Sequence, residues 1–339
     1  MKRVMSTLSV VMMAGIILSA CENGSSWIGL GPDERRETGQ QAVEQGQQSD
    51  NEKGEAVMRE DLPQLLLNQQ FEQIYRQTGQ EFREAVTYDQ FRLIAAQFVE
   101  DVTSFSLQSK LTENGLDMYV WIDQSSTKGM MAAFDQTGTI VGLQVNRLQS
   151  YPDTDAALTQ TEYRLPFQGE WMTYWGGRNV LVNYHYAYPG QRYAYDFIIV
   201  KDGMSYQGDP THNESYHAFG QEVLAPASGT VVQVVNDVPD NEPVGEMNEE
   251  QPAGNYVVID HGRGEYSLLA HFQHQSIRVK PGDVVEAGDL LGLCGNSGNS
   301  SEPHIHFHVA DDADLVKGRS LRIRLSDGLD PLRGQVVAP

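Results

Sequence analysis

The chain of 339 residues is short of cysteine, of basic residues and of long apolar runs, and each shortage excludes something. Two cysteines, Cys21 and Cys294, cannot build a disulfide framework. Lys and Arg total 24 against 46 for Asp and Glu, a formal net charge of −22. A nucleic-acid partner is therefore not expected, because neutralising phosphates takes a surplus of basic side chains. The same excess of acid argues against electrostatic docking on an anionic surface. No apolar run is long enough to cross the ~30 Å hydrocarbon core of a membrane comfortably. Histidine is missing from the whole first half, and all nine residues of this type begin at His185. What is present is 40% hydrophobic, enough for a proper core, in a length that suggests about two domains.

Residues 1–20 read as a targeting segment. Lys2 and Arg3 precede an apolar run from Leu8 to Ala20, too short for a membrane span and right for the apolar part of a secretory signal. Leu18-Ser19-Ala20-Cys21 resembles a bacterial lipobox, which implies cleavage before Cys21 and acylation of that cysteine. Buried acyl chains, at ~0.8 kcal/mol per CH₂, would hold the protein on the extracytoplasmic face of the cell membrane. From 21 to 60 the chain is rich in Gly, Ser, Gln, Glu and Asp, a composition expected to form a flexible acidic tether.

Residues 61–150 read as a small α+β domain. Leu67, Phe71, Ile74 and Tyr75, and then Phe91, Ile94, Phe98 and Val102, recur at helical spacing, the second set behind the capping-box pattern Thr87-Tyr88-Asp89-Gln90. The period then changes to two: Phe105, Leu107, Met118, Val120 and Ile122, followed by Gly129–Phe134 and Ile140–Leu148 around the turn Asp135-Gln136-Thr137-Gly138. Helices followed by an antiparallel meander are expected, with Trp121 in the core. The unit loosely resembles the cystatin-like domains that precede peptidase domains in secreted bacterial proteins. Without histidine or cysteine it is expected to be accessory: a spacer, an inhibitor or a docking module.

Residues 160–339 hold every histidine: His185, His212, His217, His261, His271, His274, His304, His306 and His308. Imidazole serves as metal ligand and as acid or base near neutral pH, so the clustering points to one of these. In Pro303-His304-Ile305-His306-Phe307-His308-Val309 the strand period of two puts the three histidines on one face and the apolar residues on the other. Short apolar segments separated by Gly, Pro and Asn turns predict an all-β sandwich. Cys294, in the strand pattern Leu290, Leu291, Leu293, reads as a buried free thiol.

Several separated motifs agree with one another: Tyr195-Asp196-Phe197, Val223-Leu224-Ala225-Pro226-Ala227-Ser228-Gly229, Val257-Val258-Ile259-Asp260-His261-Gly262, Leu269-Ala270-His271, Pro281-Gly282-Asp283 and the His304–His308 stretch. In this order they resemble the lysostaphin/LytM-type zinc metallopeptidases, which cut peptide cross-links of bacterial peptidoglycan. The resemblance implies a β-sandwich peptidase domain of duplicated hybrid motif type, a zinc cofactor, and peptidoglycan stem peptides or cross-bridges as substrate. It implies that His306 and Asp196 ligate zinc and that His271 and His304 are the catalytic histidines. One position departs. The family's first ligand histidine falls on Arg192, whose guanidinium has no lone pair to give. His185, eleven positions before Asp196, is the expected replacement; His217 or His212 is the next option, and a site too degraded to hold zinc the last. His308 falls where the family commonly has an acid and is expected to be exposed or to lie behind the ligands.

Two imidazoles and one carboxylate leave a tetrahedral zinc one open position, the catalytic arrangement. The expected function is a membrane-anchored, zinc-dependent endopeptidase acting on peptidoglycan, with His271 and His304 sharing proton transfer and oxyanion stabilisation. A catalytically silent relative that binds wall or a partner and regulates another hydrolase is the alternative, kept open by Arg192. A biotinyl- or lipoyl-like carrier lacks a lysine at the required hairpin tip. The acidic stretch between Val235 and Asn255 reads as a solvated loop or a rim that selects substrate, and Tyr206, Tyr216 and His217 as candidates to line a groove.

Overall fold

In a computed structural model of the chain, residues 25–29 and 58–339 are described. The targeting segment, Cys21 and most of the tether lie outside the described residues. The described residues divide into two compact units, those up to 110 with 115–148, and 111–114 with 149–339.

The first unit is a five-stranded antiparallel sheet with helices on it. Its strands are β1 (Ser25–Gly29), β2 (Phe105–Glu113), β3 (Leu116–Asp123), β4 (Lys128–Phe134) and β5 (Ile140–Arg147), in the order β1-β5-β4-β3-β2. β1 pairs antiparallel with β5, Ser25 opposite Asn146, so this part of the expected tether is a strand. The helices are α1 (Leu62–Leu67), α2 (Phe71–Arg76), α3 (Gln80–Ala85) and α4 (Tyr88–Val99). The capping box at α4 forms as its sequence predicts: the Gln90 amide donates to Thr87 Oγ1, and the Thr87 amide donates to Gln90 Oε1 at 2.9 Å. Phe71, Ile74, Phe91 and Ala95 pack with Tyr119, Trp121, Met130 and Phe134 of the sheet, and Trp121 is in the core as expected. Leu107 is exposed, against the alternation read for it, while Phe105 two positions before it is half-buried and packs on the core.

The second unit is mostly antiparallel sheet. It comprises a short helix α5 (Pro152–Ala156) and strands β6 (Leu158–Tyr163), β7 (Trp171–Trp175), β8 (Tyr195–Ile198), β9 (Glu222–Leu224), β10 (Gly229–Val235), β11 (Asn255–Asp260), β12 (Tyr266–Phe272), β13 (Val284–Val285), β14 (Leu290–Leu293), β15 (Ile305–Ala310), β16 (Ser320–Leu325) and β17 (Val336–Val337). The large sheet runs β13-β10-β11-β12-β15-β8-β7-β17, with β16 on β15 and β6 parallel to β16, and β14 pairs with β9 in a second, two-stranded sheet. Val223 and Leu291 of the small sheet share one core with Phe197, Leu269, Ile305, Phe307 and Val309 of the large one. The alternation predicted for β15 holds, since Ile305, Phe307 and Val309 supply that core while His306 and His308 face the other way. That other face is not wet. Val258, Leu268 and Ala270 form a smaller apolar cluster there, and His308 is buried, which corrects the exposed alternative read for it.

Candidate metal centre

Strand register brings the first two groups together. In β12, β15 and β8, Ala270 is opposite His306, and His306 is opposite Asp196. Direct cross-strand neighbours sit ~5 Å apart, so a histidine and an aspartate separated by more than a hundred residues share one spot. Ala270 is small enough to leave room beside them. His306 Nδ1 lies 2.8 Å from Asp196 Oδ1.

His185 completes the group. It sits in a one-turn 3₁₀ helix, Tyr184–Ala187, capped by Asn183, whose Oδ1 accepts from the His185 backbone amide at 3.2 Å. The same oxygen is 2.9 Å from His185 Nδ1. The Asn183 amide nitrogen donates to Gly177 O and Ala194 O, so the oxygen must face the ring, and His185 Nδ1 carries the proton. The Nε2 lone pair is then left 3.5 Å from Asp196 Oδ2. That nitrogen is buried and has no hydrogen-bond partner. A buried imidazole nitrogen with a free lone pair, aimed at a carboxylate that offers no proton, is what a cation site requires. One ligand atom from each of His185, Asp196 and His306 lies within 4.8 Å of the others, and among the described residues no other group of three such side chains converges in this way. His217 and His212 are not in it; His212 is exposed and paired with Glu242 at 2.8 Å.

Arg192 is held elsewhere. Its guanidinium lies 3.3 Å from the centroid of the Tyr151 ring, and its Nε donates to Tyr186 O. The Tyr186 and Tyr193 hydroxyls in turn donate to Asp155 in α5. The arginine thus pins the segment that carries His185 instead of occupying the site.

His271 reaches the centre through a bulge. Between β11 and β12 the register passes from Asn255–Phe272 to Tyr256–Ala270, leaving His271 as the extra residue. Its φ is +65°, a left-handed backbone that histidine adopts more readily than most side chains. In a regular strand its side chain would point away from that of Ala270; the bulge re-aims it, and its ring lies 5.8 Å from that of His306 and 4.6 Å from that of His304. Nδ1–H donates to Ser297 O at 2.8 Å, which leaves the Nε2 lone pair free for chemistry. Ser297 is held by a close approach of two glycines: a Cβ on Gly298 would fall 2.4 Å from Gly254 N, and one on Gly254 2.3 Å from Ser297 O. His304, just before β15, donates from Nδ1 to Glu302 O at 2.8 Å, and its Nε2 lies 3.8 Å from Asp196 Oδ1. Both histidines therefore present an unprotonated Nε2.

Burial governs the charges. It pushes Asp196 up to about 6, against the opposing influence of His304. It pushes His306 down to about 4 and holds His185 and His271 well below the usual imidazole range, with the neighbouring histidines adding to the effect. At neutral pH the Asp196 carboxylate thus faces the neutral imidazoles of His185 and His306. The Tyr184 ring lies tilted against that of His185 with centroids 3.9 Å apart. Asn183, the carbonyls of Ser297 and Glu302, and Tyr184 were not singled out from sequence. Only Asn183 carried a signal, as a capping residue two positions before a histidine.

Residues 215–318 match Peptidase family M23. The chain is 40% identical over 75 residues to the peptidoglycan DD-endopeptidase ShyA of Vibrio cholerae serotype O1, covering 22% of this chain and 16% of that one. It is 28% identical over 117 residues to the murein hydrolase activator EnvC of Escherichia coli K12, covering 32% of this chain and 26% of that one. The chain thus spans about a quarter or less of the length of either relative. Among solved structures, the catalytic domain of the antimicrobial peptidase lysostaphin from Staphylococcus simulans aligns at 22% identity and a TM-score of 0.24, over 38% of this chain and 73% of that one. His271, His304 and His306 lie inside the matched stretch, while His185 and Asp196 precede it. The stretch 215–318, which carries three of the five histidine and aspartate side chains described above, is thus similar to Peptidase family M23.

Proposed function

We propose that the second unit is a zinc-dependent endopeptidase that hydrolyses peptide bonds in peptidoglycan, with His185, Asp196 and His306 as the zinc ligands. The observation that carries this reading is the buried, unpartnered Nε2 of His185 facing Asp196 and His306. Two neutral imidazoles and a carboxylate are the donor set of an open, catalytic zinc site. A zinc ion held there supplies Lewis acidity toward a water molecule and toward the scissile carbonyl. His271 and His304 do the rest. With Nε2 unprotonated and Nδ1–H anchored on a backbone carbonyl, each takes up a proton at Nε2 without changing its orientation. The one that accepts the proton of the attacking water returns it to the leaving amine. The other, having taken a proton from solvent at Nε2, donates it in a hydrogen bond to the developing oxyanion.

The anchor completes the proposal: a lipid on Cys21 would keep the chain on the extracytoplasmic face of the cell membrane, the tether giving the enzyme reach toward the wall. A second reading has its own support, in the similarity to a protein named as a murein hydrolase activator and in Arg192 at the usual ligand position. In that reading the domain binds wall or a partner and regulates another hydrolase. The retained donors and both anchored histidines favour the enzyme. Zinc content and release of peptides from purified peptidoglycan separate the two. The enzyme reading expects one zinc per chain and turnover, both lost in His306→Ala; turnover that persists in His306→Ala refutes it, and zinc without turnover favours the regulator.

A further inference from the structure

His308 has no place in the chemistry above, yet it is buried, only 6% exposed. It lies one strand period after His306 on the same face of β15, opposite Leu268 of β12. Val258, Leu268 and Ala270 wall that face, and the far side of the ring borders a narrow cavity lined by Tyr266, Leu268, Ala310, Asp312 and Leu315. Its Nδ1 is 2.9 Å from His306 Nε2, and the two rings meet edge to face at 5.1 Å.

A neutral imidazole has one donor and one acceptor nitrogen. His306 directs Nδ1 at Asp196 and into the group formed with His185, so to offer a lone pair there it must carry its proton on Nε2. In an apolar pocket that N–H needs an acceptor, and His308 Nδ1 is within reach of it. We propose that His308 is a positioning residue: it accepts the Nε2–H of His306, fixes the tautomer and ring orientation, and so sets the affinity of the site for zinc.

The two ligand imidazoles are thereby held by different devices. His185 is oriented by an amide oxygen two residues away, His306 by a second imidazole. Partners of this kind around a metal-binding histidine typically alter affinity 10–100-fold. A strand register explains the choice: at the position after next on β15 any side chain faces the same apolar pocket, so the partner must be neutral or have its charge balanced there.

The inference rests on His185, Asp196 and His306 being zinc ligands, and the test keeps the two apart. The chelator-treated full chain is titrated with zinc against a chromophoric competitor, as wild type, His308→Leu and His308→Asn. His308→Leu keeps bulk and loses the acceptor; His308→Asn places an amide oxygen where Nδ1 stood. We expect ~10–100-fold weaker zinc binding for His308→Leu and recovery of most of that loss in His308→Asn. Wild-type affinity in a folded His308→Leu overturns the inference alone; a wild type that binds no zinc overturns both readings. Should His308→Leu fail to fold, nitrogen NMR of the zinc-loaded wild type decides. A proton on His306 Nε2 coupled through the hydrogen bond to His308 Nδ1 supports the proposal, and a proton found on His308 Nδ1 refutes it.

Discussion

The two units solve opposite problems with similar material. In the first, helices with an apolar stripe cover a regular sheet, and the buried aromatic side chains Phe71, Phe91, Tyr119, Trp121 and Phe134 make up its core. In the second, the main core is as apolar, but behind it His185, Asp196, His271, His306 and His308 are also buried. Burying that many polar rings costs stability unless each finds a partner. Most do so through fixed devices: Asn183 under His185, Ser297 O under His271, His308 under His306. The comparison teaches that an apolar core suffices to hold the first unit together, whereas the second gives up some stability to hold a charged centre in place.

That contrast can be broken by substitution, starting with the largest effect. His271→Ala or His304→Ala should lower peptidoglycan hydrolysis by about 10²–10⁴-fold while zinc content stays at wild-type level. Loss of zinc in either variant would show that the histidines hold the metal instead of moving protons. On the other side, Trp121→Ala should cost ~3–5 kcal/mol of stability in the first unit, read by denaturant unfolding, with zinc per folded chain unchanged.

Asp196 sharpens the trade between function and stability. Its carboxyl, pushed up to about 6, is raised above the unfolded value of 3.8, so in chelator-treated protein its favourable contribution is present below pH 3.8 and lost as pH rises through about 6. Asp196→Asn should therefore abolish zinc binding and yet stabilise the chelator-treated protein at pH 7, with no gain below pH 4. A destabilised variant at pH 7 would show that the carboxylate is favourably paired without metal. The smallest expected effect is Thr87→Ala, about 1 kcal/mol from losing the cap of α4, seen as a lower unfolding midpoint with hydrolysis unchanged.

Much of this was legible in the sequence where local pattern decides structure. The capping box needs only residues 87–90, and the histidine alternation in β15 only the strand period. The loss of a ligand at Arg192 is legible as well, and His185 stands seven positions before it. Other features depend on partners distant in sequence. The bulge at His271 is a mismatch of one residue between β11 and β12, invisible until both strands are paired. The enclosure of His308 comes from Leu268 and Val258 on neighbouring strands. Ser25–Gly29 reads as tether because the stretch around it is polar, yet its backbone finds the edge of β5. Hydrogen bonds to carbonyls, such as Ser297 O and Glu302 O, carry no side-chain signature at all.

The claim on which the rest depends is that His185 has taken over the ligand role from the position of Arg192. Elemental analysis of the purified full chain beside His185→Ala tests it directly. We predict one zinc per chain in the wild type and a loss of tightly held zinc, with hydrolysis, in the variant. A full zinc complement in folded His185→Ala would contradict the account.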